Sequence, residues 1–350
     1  MKPLNFNLKR VLIAGGAGCL GSNLVKHLIA QGNHVDCIDN LITGKASNIA
    51  PFRKLPTFRF HNGDICDSDF LRKFEGINYA SIYNLACPTG VPNIAKLGEH
   101  MLMTSSVGTL NLLKLAQQAR AKYLFASSAE VYGDPGVFPQ SESYHGDVDP
   151  VGPRSAYEEG KRFGESLTKY FASCHNVDAR IVRIFNTYGP NMSLHETRVV
   201  PAMLRSMILE EPVTIYGNGQ NTRSFQYVDD LISGFDHCMS VNCRGDVFNI
   251  GSEDEISIME LFEACKEVTG SNSLPCFVEH FIDDHKRRRP DTSRMRALGW
   301  KPTVSLHQGL AISYSDMRRR LLGKAAARRK VPLKPKISPQ IVNATVRLAS

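Results

Sequence analysis

The sequence predicts an α/β protein with a doubly wound parallel sheet and a smaller, less regular C-terminal subdomain. Three observations predict it. Short apolar runs of buried-strand type alternate with helical patterns through the first half of the chain. A glycine-rich turn, Gly15-Gly-Ala-Gly-Cys-Leu-Gly21, follows the first of these runs at once. Beyond about residue 185 the alternation breaks down.

The composition supports this class. With 350 residues, 42% hydrophobic and 22% charged, the chain has the makeup of a globular protein able to bury a sizeable core. Its formal net charge of +8 is concentrated at one end, where residues 318–350 hold ten Lys or Arg and no acid. The remainder is nearly neutral, which argues against a nucleic-acid-binding body. Residues 317–350 read as a basic, flexible tail, either solvated or touching an acidic partner or membrane surface. The nine cysteines are odd in number and scattered, with no CxxC pair, and the histidines do not cluster. Neither a disulfide framework nor a metal site is expected. Reduced thiols fit a cytoplasmic location. Residues 1–10 lack the apolar core of an export signal, and no apolar run approaches the ~18 residues of a membrane span.

Residues 10–14 form the first strand candidate and residues 22–30 a helical pattern closing at Gln31-Gly32. Residues 34–39 form a second strand that ends in Asp39. Strand, glycine turn, helix, strand and acid together make the context of a Rossmann dinucleotide site. Gly15 allows the tight turn, Gly18 lets backbone N–H groups approach a pyrophosphate, and Gly21 permits close helix packing. The helix N-terminus brings partial positive charge to the phosphates. Asp39 would accept hydrogen bonds from the adenosine ribose, and its charge repels a 2′-phosphate, favouring NAD over NADP.

Further strand candidates follow at 57–60, 79–85 and 123–127, with an amphipathic helix over 104–119 and a sixth strand over 178–185. Asp64, after the third strand, reads either as a helix cap or as a ligand contact. Ser127, Ser128 and Glu130 lie at the C-terminal end of a central strand, the side on which open α/β sheets bind ligands. After a loop rich in Pro, Gly, Ser and Asp, the stretch Ser155-Ala-Tyr-Glu-Glu-Gly-Lys161 puts Tyr157 and Lys161 one helical turn apart on one face. An ammonium beside a phenol favours the phenolate and so a general base.

The Gly-xx-Gly-xx-Gly spacing together with Tyr-xxx-Lys resembles the short-chain dehydrogenase/reductase superfamily. Five segments make the resemblance closer: residues 128–135 (SAEVYGDP), 139–142 (PQSE), 152–162 (GPRSAYEEGKR), 183–190 (RIFNTYGP) and 222–228 (TRSFQYV). Over about residues 10–315 the chain resembles the UDP-glucuronate decarboxylases (UDP-xylose synthases), extended members of that superfamily. The resemblance implies a Rossmann domain over residues 8–185, including the Tyr/Lys helix. A nucleotide-sugar subdomain would occupy mainly 186–316, with some segments returning to the core.

It also implies NAD as cofactor, contacted by Gly15, Gly18, Cys19, Leu20, Gly21, Asp39, Asn40, Thr43, Gly44, Asp64, Ile65, Leu85, Tyr157 and Lys161. The implied chemistry has Tyr157, helped by Lys161, take the sugar 4-OH proton while the C4 hydride passes to NAD. CO₂ then leaves the 4-ketone, Ser128 and Tyr157 hold its oxygen, and the hydride returns to give UDP-xylose. Glu130 and Arg288 would position substrate and serve decarboxylation and C5 protonation. Asn186, Arg198 and Arg223 would hold the nucleotide sugar. A homodimer through flank helices is implied too; the apolar faces at 110–115 and after Tyr157 are consistent with it, as they are with core packing.

The chain departs from the family pattern on the substrate side. Ala129 replaces a hydroxyl residue, Met103 and Ser105 replace the Lys and Asn of a Lys-Thr-Asn, and Asn191 replaces the Arg of a Gly-Pro-Arg. Another NAD-dependent nucleotide-sugar epimerase or 4,6-dehydratase, or a catalytically silent nucleotide-sugar binder, are the alternative readings.

Overall fold

The computed structural model describes residues 9–279 and 288–329. Its first half alternates as β1 (Arg10–Ala14), α1 (Cys19–Ala30), β2 (His34–Asp39), α2 (Ala46–Ile49), β3 (Phe58–Asn62), α3 (Ser68–Arg72), β4 (Ser81–Asn84), α4 (Val91–Met103), α5 (Thr109–Ala119), β5 (Lys122–Ser128), α6 (Ser155–Cys174) and β6 (Ala179–Ile184). Shorter pieces follow: β7 (Thr187–Tyr188), α7 (Val199–Ile208), β8 (Val213–Tyr216), β9 (Thr222–Ser224), β10 (Gln226–Tyr227) and α8 (Val228–Ser240). The described chain closes with β11 (Asp246–Ile250), β12 (Glu255–Ser257), α9 (Ile258–Thr269), β13 (Pro275–Val278), α10 (Ser293–Ala297) and α11 (Leu306–Arg329).

Seven strands form one parallel sheet in the order β3-β2-β1-β4-β5-β6-β11. A parallel sheet needs helices on both faces, and β1 shows how the sequence meets that need. Val11 and Ile13 point into one apolar layer with Leu24 and Val25 of α1 and Leu231 and Phe235 of α8. Leu12 and Ala14 point into the other, with Leu112 and Leu113 of α5 and Phe171 of α6. β11 comes from the less regular half and returns to the sheet edge beside β6. The other late strands form three separate two-stranded ribbons. Strand order reverses between β1 and β4, which opens a crevice at the carboxyl ends of the strands.

Two expectations need correcting. The helix expected over 104–119 starts earlier and is irregular: a π-helical turn at Thr104–Gly108 joins α4 to α5, and Leu97 inside α4 departs from helical geometry at φ −129°, ψ 20°. Its leucines Leu112, Leu113 and Leu115 are buried in the core and Leu110 packs against it, so this face is not free for a partner. The apolar side chains left exposed nearby are Leu102 and Met103 at the end of α4 and Phe163 and Tyr170 on α6.

The stretch expected to become a flexible tail at 317 instead begins inside α11. Met317 is 2% exposed, because the helix packs against α9 and α7. Residues 330–350 lie outside the described residues, as do Lys286 and Arg287 of the basic cluster before Arg288.

Among the described residues, no helix is long and apolar enough to cross a membrane and no group of His, Cys, Asp or Glu is set to hold a metal ion. All nine cysteines are free thiols.

Candidate active site

A cleft of about 690 Å³ runs along the carboxyl ends of the central strands. Each candidate residue named from the sequence borders it, from Gly15, Gly18, Cys19, Leu20, Gly21, Asp39, Asn40, Thr43, Gly44, Asp64, Ile65 and Leu85 at one end to Ser128, Glu130, Tyr157, Lys161, Asn186, Arg198, Arg223 and Arg288 at the other.

The first end has the geometry of a dinucleotide cradle. Gly15 has φ +80°, and a Cβ there would lie 2.7 Å from the Ala86 nitrogen on the neighbouring strand exit. A Cβ on Gly21 would meet the Gly15 carbonyl at 2.1 Å, so this glycine lets α1 close on the turn. Gly18, by contrast, faces only the Gly15 carbonyl at 3.3 Å, leaving an approach from the cleft. α1 begins without a capping side chain and without an acid in its first turn, so its positive end stays available to phosphates.

Asp39 is 8% exposed. Its carboxylate accepts from the Ala17 N–H at 2.9 Å and the Leu41 N–H at 2.8 Å, tying β2 to the glycine turn. Burial raises its pKa, opposed by those two N–H groups. Each carboxylate oxygen retains acceptor capacity for a ribose. Asp64 accepts from the Cys66 N–H at 2.8 Å and from Asn40 at 2.9 Å, whereas the cap of α3 is Asp67. Of the two roles read for Asp64, the helix cap is therefore excluded. These residues fit NAD.

At the catalytic end, Tyr157 and Lys161 both lie on α6, Lys161 3% exposed. The Lys161 ammonium donates to the Ala126 carbonyl at 2.8 Å and sits 6.0 Å from the Tyr157 ring centre. Burial pushes the Tyr157 phenol up, as does its neighbour Cys87; a hydrogen bond with Ser128 and the charge of Arg198 act the other way. Burial thus works against the expected activated phenolate, and one of the three N–H groups of the Lys161 ammonium is directed at backbone. Ser128 ends β5 and accepts from the Glu130 N–H at 3.3 Å, capping the short turn that presents Glu130. Ser127 does not enter this chemistry: its hydroxyl donates to Glu165 at 2.6 Å, and Glu165 is gripped by Arg183 at 2.8 and 2.9 Å.

Glu130 is held between two arginines. Arg288 donates to it at 2.5 and 3.3 Å, and Arg154 donates to its second oxygen. Arg154 also bonds Glu158 at 3.1 Å, and those two carboxylates raise its pKa against the opposing effect of burial. Sequence reasoning missed Arg154, although it stands three residues before Tyr157 inside a motif already singled out. Arg288 arrives from far along the chain because Gln140, fully buried, exchanges backbone hydrogen bonds with Arg289 and Asp291 at 2.9 and 2.8 Å. Its side-chain oxygen also accepts from the Arg289 N–H at 2.9 Å.

On the substrate side, Asn186 donates to the Ser224 carbonyl at 3.2 Å, and Arg223 on β9 donates to the Thr222 carbonyl at 2.8 Å. Arg198 pairs with Glu196 at 2.8 Å, a second cleft residue that the sequence reading did not select. Met103 is 44% exposed and lies outside the cleft wall, where Thr104 faces in from the π-helical turn. A methionine there removes a charge without filling the pocket.

Residues 11–251 match the family described as NAD dependent epimerase/dehydratase. The chain is 40% identical over 324 residues to UDP-glucuronic acid decarboxylase 4 of Arabidopsis thaliana, covering 92% of this chain and 72% of that protein. Its fold is similar to the crystal structure of UDP-glucose 4-epimerase from Thermotoga maritima with UDP-glucose, at TM-score 0.82 and 29% identity over 89% of this chain and 99% of that one. It is similar also to the UDP-glucuronic acid 4-epimerase of Bacillus cereus in complex with UDP-glucuronic acid and NAD, at TM-score 0.78 and 27% identity over 89% and 99% of the two chains. The chain belongs to the NAD-dependent epimerase/dehydratase family, with UDP-glucuronic acid decarboxylases among its relatives.

Proposed function

We propose that the protein decarboxylates UDP-glucuronate to UDP-xylose through a UDP-4-keto intermediate. The observation that carries this reading is the Arg154–Glu130–Arg288 cluster, which faces the same cleft as Ser128 and Tyr157. Oxidation and reduction at one carbon need a base and a hydroxyl donor, but not this extra ionic group.

When bound, NAD supplies the acceptor and then the donor of a hydride at C4. Tyr157 removes the 4-OH proton and Ser128 donates a hydrogen bond to the same oxygen. The ketone lies β to the C6 carboxylate, so the electrons of the breaking C5–C6 bond pass onto the ketone oxygen, where Ser128 and Tyr157 stabilise them. Glu130 and Arg288 position the sugar; C5 gains a single proton from solvent water, and the proton held by Tyr157 returns to O4 at the end of the cycle. Arg198, Arg223 and Asn186 hold the nucleotide part; the two arginines match the charge of a diphosphate.

We infer further that the protein is a homodimer in which Leu102, Met103, Phe163 and Tyr170 are covered by a second copy. The free thiols suit a reducing, cytoplasmic compartment.

The decisive experiment incubates purified protein with NAD and UDP-glucuronate and follows CO₂ and the sugar product. CO₂ with UDP-xylose is expected. UDP-galacturonate without CO₂ would assign an epimerase, and binding without turnover a silent nucleotide-sugar binder.

A further inference from the structure

Asn191, one of the substrate-side departures from the family pattern, lies at the centre of a contact between the cofactor end of the cleft and the C-terminal helix. Its backbone has φ +67°, a left-handed conformation that Asn tolerates better than most side chains. Its side-chain amide donates to the Ser22 hydroxyl at 3.1 Å in the first turn of α1. The preceding carbonyl, Pro190, accepts from the Asn23 side chain at 3.1 Å and from the Cys19 thiol at 3.3 Å. Three residues of the helix end that faces the cleft therefore rest on this one turn.

The turn is itself anchored by α11. The Asn191 N–H donates to Asp316 at 3.1 Å, and Arg320 bonds both Asp316 and the Met192 carbonyl at 2.8 Å. Asp316 is 7% exposed and Met192 3%, so water competes poorly for these bonds. Asn191 and Ser193 border the cleft, and Lys45, beyond Gly44, donates to Ser193 at 3.0 Å.

We propose that Asn191 and Asp316 are positioning residues of the NAD site: α11, through this turn, fixes the first turn of α1 against the cofactor's phosphates and sets how slowly NAD leaves. Helix α11 lies beyond the fingerprint in sequence, yet it determines the helix end that the fingerprint supplies. The inference rests on the NAD site and not on the identity of the sugar.

The test uses the full-length protein loaded with NAD, separated from free NAD by rapid gel filtration, with bound NAD measured over time after acid extraction. Asn191→Gly keeps the left-handed backbone and removes only the side-chain bond. Asp316→Asn removes the charge that anchors the turn. Each variant is expected to release NAD about three- to tenfold faster, the scale of one hydrogen bond. The double variant should be no faster than the faster single one, because both act through one turn. Arg319→Ala serves as the control: that arginine pairs with the same aspartate at 2.8 Å but its side chain is 79% exposed, and parental release is expected. Melting temperature without NAD is measured in parallel, since a merely structural role lowers it and leaves release unchanged. Parental release from either Asn191→Gly or Asp316→Asn overturns the proposal.

Discussion

Replacing Arg288 with alanine should slow decarboxylation by about 10²-fold while leaving NAD in place. Arg288 is 6% exposed, and its guanidinium spends two N–H groups on Glu130, at 2.5 and 3.3 Å, and one on the Gly133 carbonyl at 3.4 Å. Truncation does not strand Glu130, because Arg154 still pairs with it. The loss is therefore below the 3–5 kcal/mol of an abandoned buried charge and closer to one charge-assisted bidentate pair, about 2–3 kcal/mol. If that energy is expressed in the transition state, CO₂ release slows by about 10²-fold. Arg288 sits at the catalytic end of the cleft, away from Asp39 and the glycine turn, so NAD content should be parental. A single-turnover assay with UDP-glucuronate separates the steps, following reduced-nicotinamide absorbance and CO₂ together. The expected result is absorbance that accumulates without matching CO₂. Parental CO₂ release would refute the role given to Arg288, and loss of NAD would show that the side chain supports the cofactor end instead.

Three further outcomes follow from the geometry. Burial favours the neutral form of the Tyr157 phenol and so raises its pKa, which means that ionisation is delayed as pH increases. The ultraviolet difference between NAD-free parent and Tyr157→Phe should show no tyrosinate below pH about 10, and a tyrosinate near neutrality would mean that Lys161 and Arg198 outweigh burial. Beneath the sheet, Asp36 accepts from Arg10 at 2.6 Å, His61 at 2.9 Å and Tyr79 at 3.0 Å. Burial raises its pKa, but these partners together win and hold it at about 2. Its folded value is depressed, so its contribution is present above the unfolded value near 3.9 and is lost as pH falls toward 2. Allowing for screening of its part-exposed partners, about 1–2 kcal/mol should disappear in that window, and Asp36→Asn should flatten this part of the denaturation profile. Finally, Phe163→Asp should shift the sedimentation coefficient from dimer to monomer, since Phe163 is 54% exposed on α6, which packs against the helix α4 that carries Leu102 and Met103; an unchanged value would place the interface elsewhere.

The local motifs were legible in the sequence because each is a short-range physical requirement. Positive φ and close approach at Gly15 and Gly21 require glycine, an acid at the end of β2 suits a ribose, and spacing of four residues brings Tyr157 and Lys161 onto one helical face. The alternating strands and their apolar composition announced the covered parallel sheet for the same reason. Boundaries were less legible where tertiary packing overrides local pattern. The π-helical turn at Thr104–Gly108 and the inclusion of Met317 in α11 have no strong local signal, since one depends on the neighbours of α5 and the other on packing against α9 and α7.

The sequence by itself therefore determined the fold class, the NAD fingerprint and the pair on α6, all properties of adjacent or near-adjacent residues. Tertiary structure alone decided what each charge does. It spent Ser127 on Glu165 and put Lys161 against the Ala126 carbonyl; it also brought Arg154 and Arg288, 134 positions apart in the chain, onto one carboxylate. The physical reason is that a buried ion or hydroxyl must find its partner in space, and that partner is chosen by where the sheet and loops place it rather than by its distance along the chain.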